Sequence, residues 1–443
     1  MRPYGRHRRH FLAAAAASIV GGSLPRGLVT AAPAIEQETV PITGKNQAEL
    51  SPFDALLTTF LREHSVPGAS LAVSRHGKLV YARGFGWADV EKQEPVQPDS
   101  LFRIASVSKP ITAVAVLRLA EQEKLGLDDK VLKYLQPLPK LAADCELDRR
   151  WEQITIRHCL QHTAGWDREE SFDPIGRPEE IAKNLSVDFP ITPDLIVRYM
   201  LGQKLDFDPG LKSCYSNFGY IILGRIIERV TGQAYEAFVK RAVLAPVGIK
   251  RMQLGKALLD QRAAGEVRYY DSKERVGRAL YPPRVGEEVP LPYGAQNLES
   301  FEAHGGWIAS AVDLLRFACA FDEPAKSPLL SSESIAEMWR RPDGLAGNAA
   351  DGGPLSSFYA CGWSVRPVRD GKSNTWHAGL ISGTAALLVR RWDGLSWAVL
   401  FNSDFSRKTE KFLAGLIDGP LHQAAEKVES WPKGDQFGEF AAK

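Results

Sequence analysis

Apolar residues recur at helical spacing across residues 51–64, where Phe53, Leu56, Leu57, Phe60 and Leu61 share one stripe behind Ser51-Pro52, a cap and a first-turn proline. The helical spacing breaks at Val66-Pro-Gly68. Residues 69–74 and 78–85 then run as strands, separated by Arg75-His-Gly77, a hairpin signal. Gly84-Phe-Gly86 predicts a bulge or a close backbone approach. After a polar loop carrying Pro95 and Pro98, residues 110–120 are apolar except Thr112 and Arg118. A helix apolar nearly all round is a buried one, and Leu125-Gly126 marks its expected end. Residues 154–162 read as a short buried helix closed by Thr163-Ala-Gly165. Residues 167–193 read as a long, acidic, proline-containing loop of the kind that forms lids and pocket walls. Helical spacing returns over 218–230 and 309–321, with little pattern beyond turns over 255–300. Residues 380–391 and 395–402 read as strands joined by Trp392-Asp-Gly394, and 406–428 as a terminal helix.

Strands at both ends of the chain with helices between them predict an α+β fold. One mixed, largely antiparallel sheet would be built from the two termini, beside a mainly helical region. The expected organisation is a single domain over 35–443, with its core over 53–402 and a terminal helix and tail over 406–443.

Composition is that of an ordinary globular chain, 44% hydrophobic and 24% charged in 443 residues. The first 34 residues differ. They hold five arginines, no lysine and no acid, so the net charge of +2 becomes −3 without them. Arg8-Arg9-His-Phe-Leu12, a short apolar run and Ala32-Pro-Ala34 together read as a twin-arginine-like export signal over residues 1–34. The expected location is periplasmic or extracellular in a bacterium. The run is too short for a membrane span, and the mildly acidic remainder gives no electrostatic case for nucleic acid. Five cysteines, at 145, 159, 214, 319 and 361, show no paired spacing, so neither a disulfide framework nor a zinc site is expected.

The chemistry starts at Ser106-Val-Ser-Lys109, at the head of the buried helix. Residues three apart on a helix are neighbours, and Pro110 fits only if the helix has just begun. Ser-x-x-Lys is short enough for chance to supply about one copy in a chain this long. A second copy, Ser430-Trp-Pro-Lys433, lies in a polar tail, and a serine at a helix start is equally well a cap. Two further motifs change the balance: Tyr215-Ser-Asn217 before a helix, and His377-Ala-Gly379 entering a strand. His304-Gly-Gly306 shares the His-x-Gly pattern but is followed by a helix. A serine hydroxyl needs a base within reach, and Lys109 with a lowered pKa can be that base. Tyr215 can act as a phenolate-like base or relay a proton to the leaving group. Asn217 can orient the lysine and the substrate, and His377 can bond the tyrosine or a substrate carboxylate. The backbone N–H groups of Ser106 and of Leu380, just past Gly379, can form an oxyanion hole.

In these motifs the sequence resembles the serine beta-lactamase and penicillin-binding-protein superfamily, on the side of class C enzymes, DD-peptidases and related esterases. The resemblance extends to Val66-Pro-Gly-Ala-Ser-Leu-Ala-Val73, Leu101-Phe-Arg-Ile-Ala-Ser106, Ile154-Thr-Ile-Arg-His-Cys-Leu-Gln-His-Thr-Ala-Gly165, Gly305-Gly-Trp-Ile-Ala-Ser310 and Tyr359-Ala-Cys-Gly-Trp363. It implies a beta-lactamase/transpeptidase-like fold, acyl transfer through Ser106, no metal and no organic cofactor. Lys-Thr-Gly, the third motif of the wider group, is replaced by His377-Ala-Gly379. That removes a lysine able to grip a lactam carboxylate and favours an esterase or D-amino-acid amidase or peptidase on small ester, amide or peptide substrates. A beta-lactamase or DD-carboxypeptidase, and a non-catalytic penicillin-recognising protein, are the alternatives. Glu180-x-x-x-Asn184 mimics a deacylation motif of class A enzymes but precedes Tyr215, where that class places it later, and is read as chance.

Overall fold

The computed structural model describes residues 40–141, 145–368 and 370–440. The export signal expected over residues 1–34 lies outside them. Nine strands form the main sheet: β1 (Ile42–Gly44), β2 (Gly68–Arg75), β3 (Lys78–Asp89), β4 (Glu94–Pro95), β5 (Phe358–Tyr359), β6 (Ser364–Pro367), β7 (Ser373–Ile381), β8 (Thr384–Arg390) and β9 (Leu395–Phe401). Their order is β1-β3-β2-β9-β8-β7-β6-β5, with β4 on β3, and every pairing is antiparallel. The join between the chain ends is β2 against β9, from Gly68–Arg75 to Leu395–Phe401.

Alternation sorts the side chains onto two faces. Leu71, Val73, Leu387, Val389, Trp397 and Val399 face one way, onto Phe53, Leu57 and Phe60 of α1 (Ser51–His64) and Leu413, Ile417 and Leu421 of the terminal helix Leu413–Glu426. Ala72, Ala386, Leu388, Ala398 and Leu400 face the other way, onto the helical region. A sheet covered on both faces explains why these strands read as apolar runs. The helical region holds α2 (Ser108–Glu121), α3 (Ile156–Leu160), α4 (Pro178–Leu185), α5 (Pro193–Leu201) and α6 (Asn217–Thr231). From Ser108 to Leu117 every residue of α2 is buried, as its composition predicts.

Several boundaries differ from expectation. Helix α2 ends at Glu121, not at Gly126, because residues 121–124 are exposed and Glu123 turns left-handed at φ 53°. The strand expected over 380–391 is two strands. Ser382-Gly383 turns the chain, so Ile381 ends β7 with Leu380 just before it, and His377 lies inside that strand rather than before it. Gly84 is a close approach, not a bulge: a Cβ there would sit 2.1 Å from the Val96 carbonyl oxygen, and the β2–β3 register shifts at Val73/Ser74 instead. Residues 167–193 are partly helical, since Pro178 and Pro193 occupy first-turn positions of α4 and α5. The terminal helix starts at Leu413, after a bridge between Phe405 and Phe412. His304-Gly-Gly306 is followed first by a short strand, Trp307–Ala309, and only then by the helix Ala311–Cys319. All five cysteines are free. No helix among the described residues is long and apolar enough to cross a membrane.

Candidate active site

Ser106 lies in the 3-10 turn Ala105–Val107 that leads into α2. Ala105 just before it is held at φ 47°, a conformation that costs a non-glycine residue about 1 kcal/mol or more and that clusters at functional sites. One turn on, the fully buried Lys109 points its ammonium back, 3.0 Å from Ser106 Oγ. The same Nζ donates to Asn217 Oδ1 at 2.8 Å and to the His304 carbonyl at 2.8 Å. Three acceptors fill its three donor positions. Burial holds Lys109 well below the ordinary lysine value, the charge of Asp173 opposes that shift, and the charge of Arg168 adds to it.

Tyr215 closes the group. Its ring lies beneath the Lys109 ammonium, with Nζ 4.8 Å from the centroid, and the Ser106 hydroxyl is its polar neighbour. Burial pushes the Tyr215 phenol up, with the Ser106 hydroxyl only partly offsetting it, so the resting side chain is protonated. Asn217, the first residue of α6, has a fixed amide orientation. Lys109 only donates and the Asp173 carboxylate accepts, so Oδ1 faces the lysine and Nδ2 faces Asp173 Oδ2 at 2.7 Å.

Strand β7 forms the opposite wall. Its first residues pair with β6 up to Trp376, whereas His377–Ile381 pair only with β8, leaving the other edge free. The two-residue turn Ser382-Gly383 makes Ile381 and Thr384 the hydrogen-bonded closing pair. Alternation therefore turns the N–H and C=O of Leu380 outward to that free edge. Gly379 packs directly on the turn that carries Ser106: a Cβ there would lie 2.1 Å from the Ile104 carbonyl oxygen.

His377 requires a correction. It bonds neither Tyr215 nor open solvent. Its Nδ1 donates to the Ala378 carbonyl at 2.7 Å, and its Nε2 accepts from the Tyr359 hydroxyl at 2.9 Å. Burial and the Lys109 charge push its pKa down to about 3, so at neutral pH it is uncharged, with both ring nitrogens engaged. It cannot grip a carboxylate as a cation.

The structure thus brings together Ser106, Lys109, Tyr215 and Asn217, with His377, Gly379 and Leu380 on the facing strand. Sequence reasoning missed Arg168, Asp173, His162, Tyr359 and the His304 carbonyl. The buried His162 ring stands 4.3 Å from Tyr215 and 4.2 Å from Tyr359, centroid to centroid. His162 and Tyr359 both lie in blocks that carry the family resemblance, which gives neither side chain a role. Asp173 caps the 3-10 turn Pro174–Gly176 by accepting from Ile175 N–H, but nothing local announces its bond to Asn217. Glu180 accepts from Tyr199 and pairs with Arg177, and Asn184 bonds the Glu180 backbone, so that motif has structural partners of its own.

A family model for Beta-lactamase matches residues 53–418. Esterase EstB of Burkholderia gladioli is 33% identical over 388 residues, covering 82% of this chain and 93% of its own. Penicillin-binding protein 4* of Bacillus subtilis is 28% identical, over 76% of this chain and 68% of its own. The octameric penicillin-binding protein homologue from Pyrococcus abyssi superimposes with a TM-score of 0.62 at 25% identity, over 84% of this chain and 77% of its own. The order of the three motifs, the two-sided sheet and a match spanning most of the chain have one explanation: this serine hydrolase belongs to the Beta-lactamase family.

Proposed function

We propose that the protein is an esterase that works through an acyl-enzyme on Ser106. The observation that carries this is Lys109 Nζ, buried and 3.0 Å from Ser106 Oγ, with its pKa lowered toward the neutral amine. Neutral Lys109 takes the Ser106 proton as Oγ attacks the ester carbonyl. The N–H groups of Ser106 and Leu380 receive the oxyanion, the first at a helix start where N–H groups lack internal acceptors, the second on the free edge of β7. The proton passes from Lys109 through Tyr215 to the departing alkoxide, and the ester bond breaks. Water then attacks the acyl-enzyme, giving its proton back along the same path and releasing the acid. Tyr215, protonated at rest, serves as a relay. The likeness to esterase EstB supports ester substrates, and the neutral, fully bonded His377 weighs against lactam binding through a third-motif cation.

The test uses the protein from about Ile35 onward, with a short-chain nitrophenyl ester and a chromogenic cephalosporin side by side. Ester turnover that disappears in Ser106→Ala, without cephalosporin turnover, is the expected result. Fast cephalosporin turnover would make it a beta-lactamase, and ester turnover surviving Ser106→Ala would sink the mechanism. Export through the segment 1–34 is part of the same proposal, and a mature N-terminus near residue 35 on the secreted protein is its expected signature.

A further inference from the structure

The segment after Gly165 reaches over the catalytic tyrosine. Arg168 lies with its guanidinium carbon 5.3 Å from the Tyr215 ring centroid, so Arg168 and Lys109 both stand within 5.3 Å of the centre of one ring. Their surroundings differ. Lys109 is buried and its three donors are spent. The Arg168 side chain is 23% exposed, and its ion pair runs from Nε to Glu169 Oε1 at 3.4 Å, a neighbour whose own side chain is 69% exposed. Among the described residues no hydrogen bond or second ion pair engages its terminal nitrogens. The other nearby acids are committed: Asp167 to Lys212 and Cys214, Asp173 to Asn217 and Ile175 N–H. The free fork of a guanidinium is the group that meets a carboxylate with two parallel hydrogen bonds. His377 across the cleft is neutral, so Arg168 is the cation at the site left to a substrate.

Position says which part of the substrate. Tyr215 delivers the proton to the departing oxygen or nitrogen in the mechanism above, and Arg168 lies against Tyr215, on the helical wall. We propose that Arg168 forms a subsite for a carboxylate on the leaving group, making esters and amides with anionic leaving groups the preferred substrates. This rests on the hydrolase reading given above. The subsite stands on the wall opposite the strand motif, so it does not restore the missing third-motif lysine in place.

The experiment compares 4-carboxyphenyl acetate with its neutral counterpart 4-carbamoylphenyl acetate on the full chain and on Arg168→Met and Arg168→Lys. The wild type is expected to prefer the carboxylate ester. Arg168→Met should lower kcat/KM for that ester about tenfold more than for the neutral one, mainly through KM, and Arg168→Lys should keep part of the preference. The gap should narrow at high salt, because Arg168 is partly open to solvent. Equal losses on both esters would show Arg168 acting through Tyr215 alone and would overturn the subsite. So would the absence of a wild-type preference, or a preference only for esters with the carboxylate in the acyl part, such as a phenyl succinate monoester. If neither ester is hydrolysed in a Ser106-dependent way, the hydrolase reading fails first and takes the subsite with it.

Discussion

The two walls of the cleft are built on different physics. The strand wall, His377–Ile381, contributes geometry: an unpaired strand edge, a glycine that lets it approach the Ser106 turn, and a histidine occupied on both sides. The helical wall, from residues 167–193 and the start of α6, contributes charge: Arg168 over Tyr215, and Asp173 holding Asn217. In the proposed mechanism, backbone on one side and ionic side chains on the other divide the labour of holding an oxyanion and setting the charge of Lys109.

That division can be broken from either side. The largest effect is expected at Gly379→Ala, whose added carbon would sit 2.1 Å from the Ile104 carbonyl oxygen. The strand or the Ser106 turn must move by about 1 Å, and kcat should fall on the order of 100-fold, since misplacement of that size is enough to do it. Ester kinetics and a thermal melt check it, with an overpacking cost of about 1–3 kcal/mol expected alongside. A wild-type kcat in this variant would mean that the strand edge takes no part in catalysis.

Asp173→Asn attacks the other wall. It removes the carboxylate that fixes the Asn217 amide, and a loss of about tenfold in kcat is expected from weakening a charged hydrogen bond. It should also move the pH profile in a determined direction. Activity rises with pH as Lys109 sheds its proton, at pH values well below its ordinary 10.5. The Asp173 charge raises that pKa, so removing it lowers the pKa and shifts the acid limb of kcat/KM to lower pH. A limb that moves upward would contradict the assignment. In the wild type no further limb is expected in the ordinary histidine range, because His377 protonates only near about 3.

Tyr359→Phe is the mildest cut. It strands the buried Nε2 of His377, at a cost of about 1–3 kcal/mol in stability, with only a several-fold change in kcat. Denaturant titration reads the first and ester kinetics the second. A larger loss of activity than Asp173→Asn would show the strand wall, too, working through side chains.

Legibility in the sequence followed the same divide. Helix α1 and the β2–β3 hairpin could be read because each is specified by residues a few positions apart. Ser106, Lys109, Tyr215 and Asn217 could be read because their residue types state their chemistry. Leu380 could be named from its place after Gly379, although the turn at Ser382-Gly383 was hidden inside an apolar run that both halves of a buried hairpin share. Arg168 and Asp173 could not. Their roles come from contacts with Tyr215 and Asn217, which lie more than 40 residues further along, and no local pattern distinguishes a charged loop that folds over a site from one that faces water.

The seam between β2 and β9 bears on how the chain comes to be folded at all. At about 5–20 residues per second, more than 300 residues must be synthesised after β2 before its partner exists. Until then β2 offers an open, apolar edge, which is a template for pairing with the wrong strand. A chain stopped before Leu395 would keep Ser106, Lys109, Tyr215 and His377, yet it should accumulate as aggregate rather than as a weakened enzyme. The last strand of the sheet is in that sense the step that commits β2.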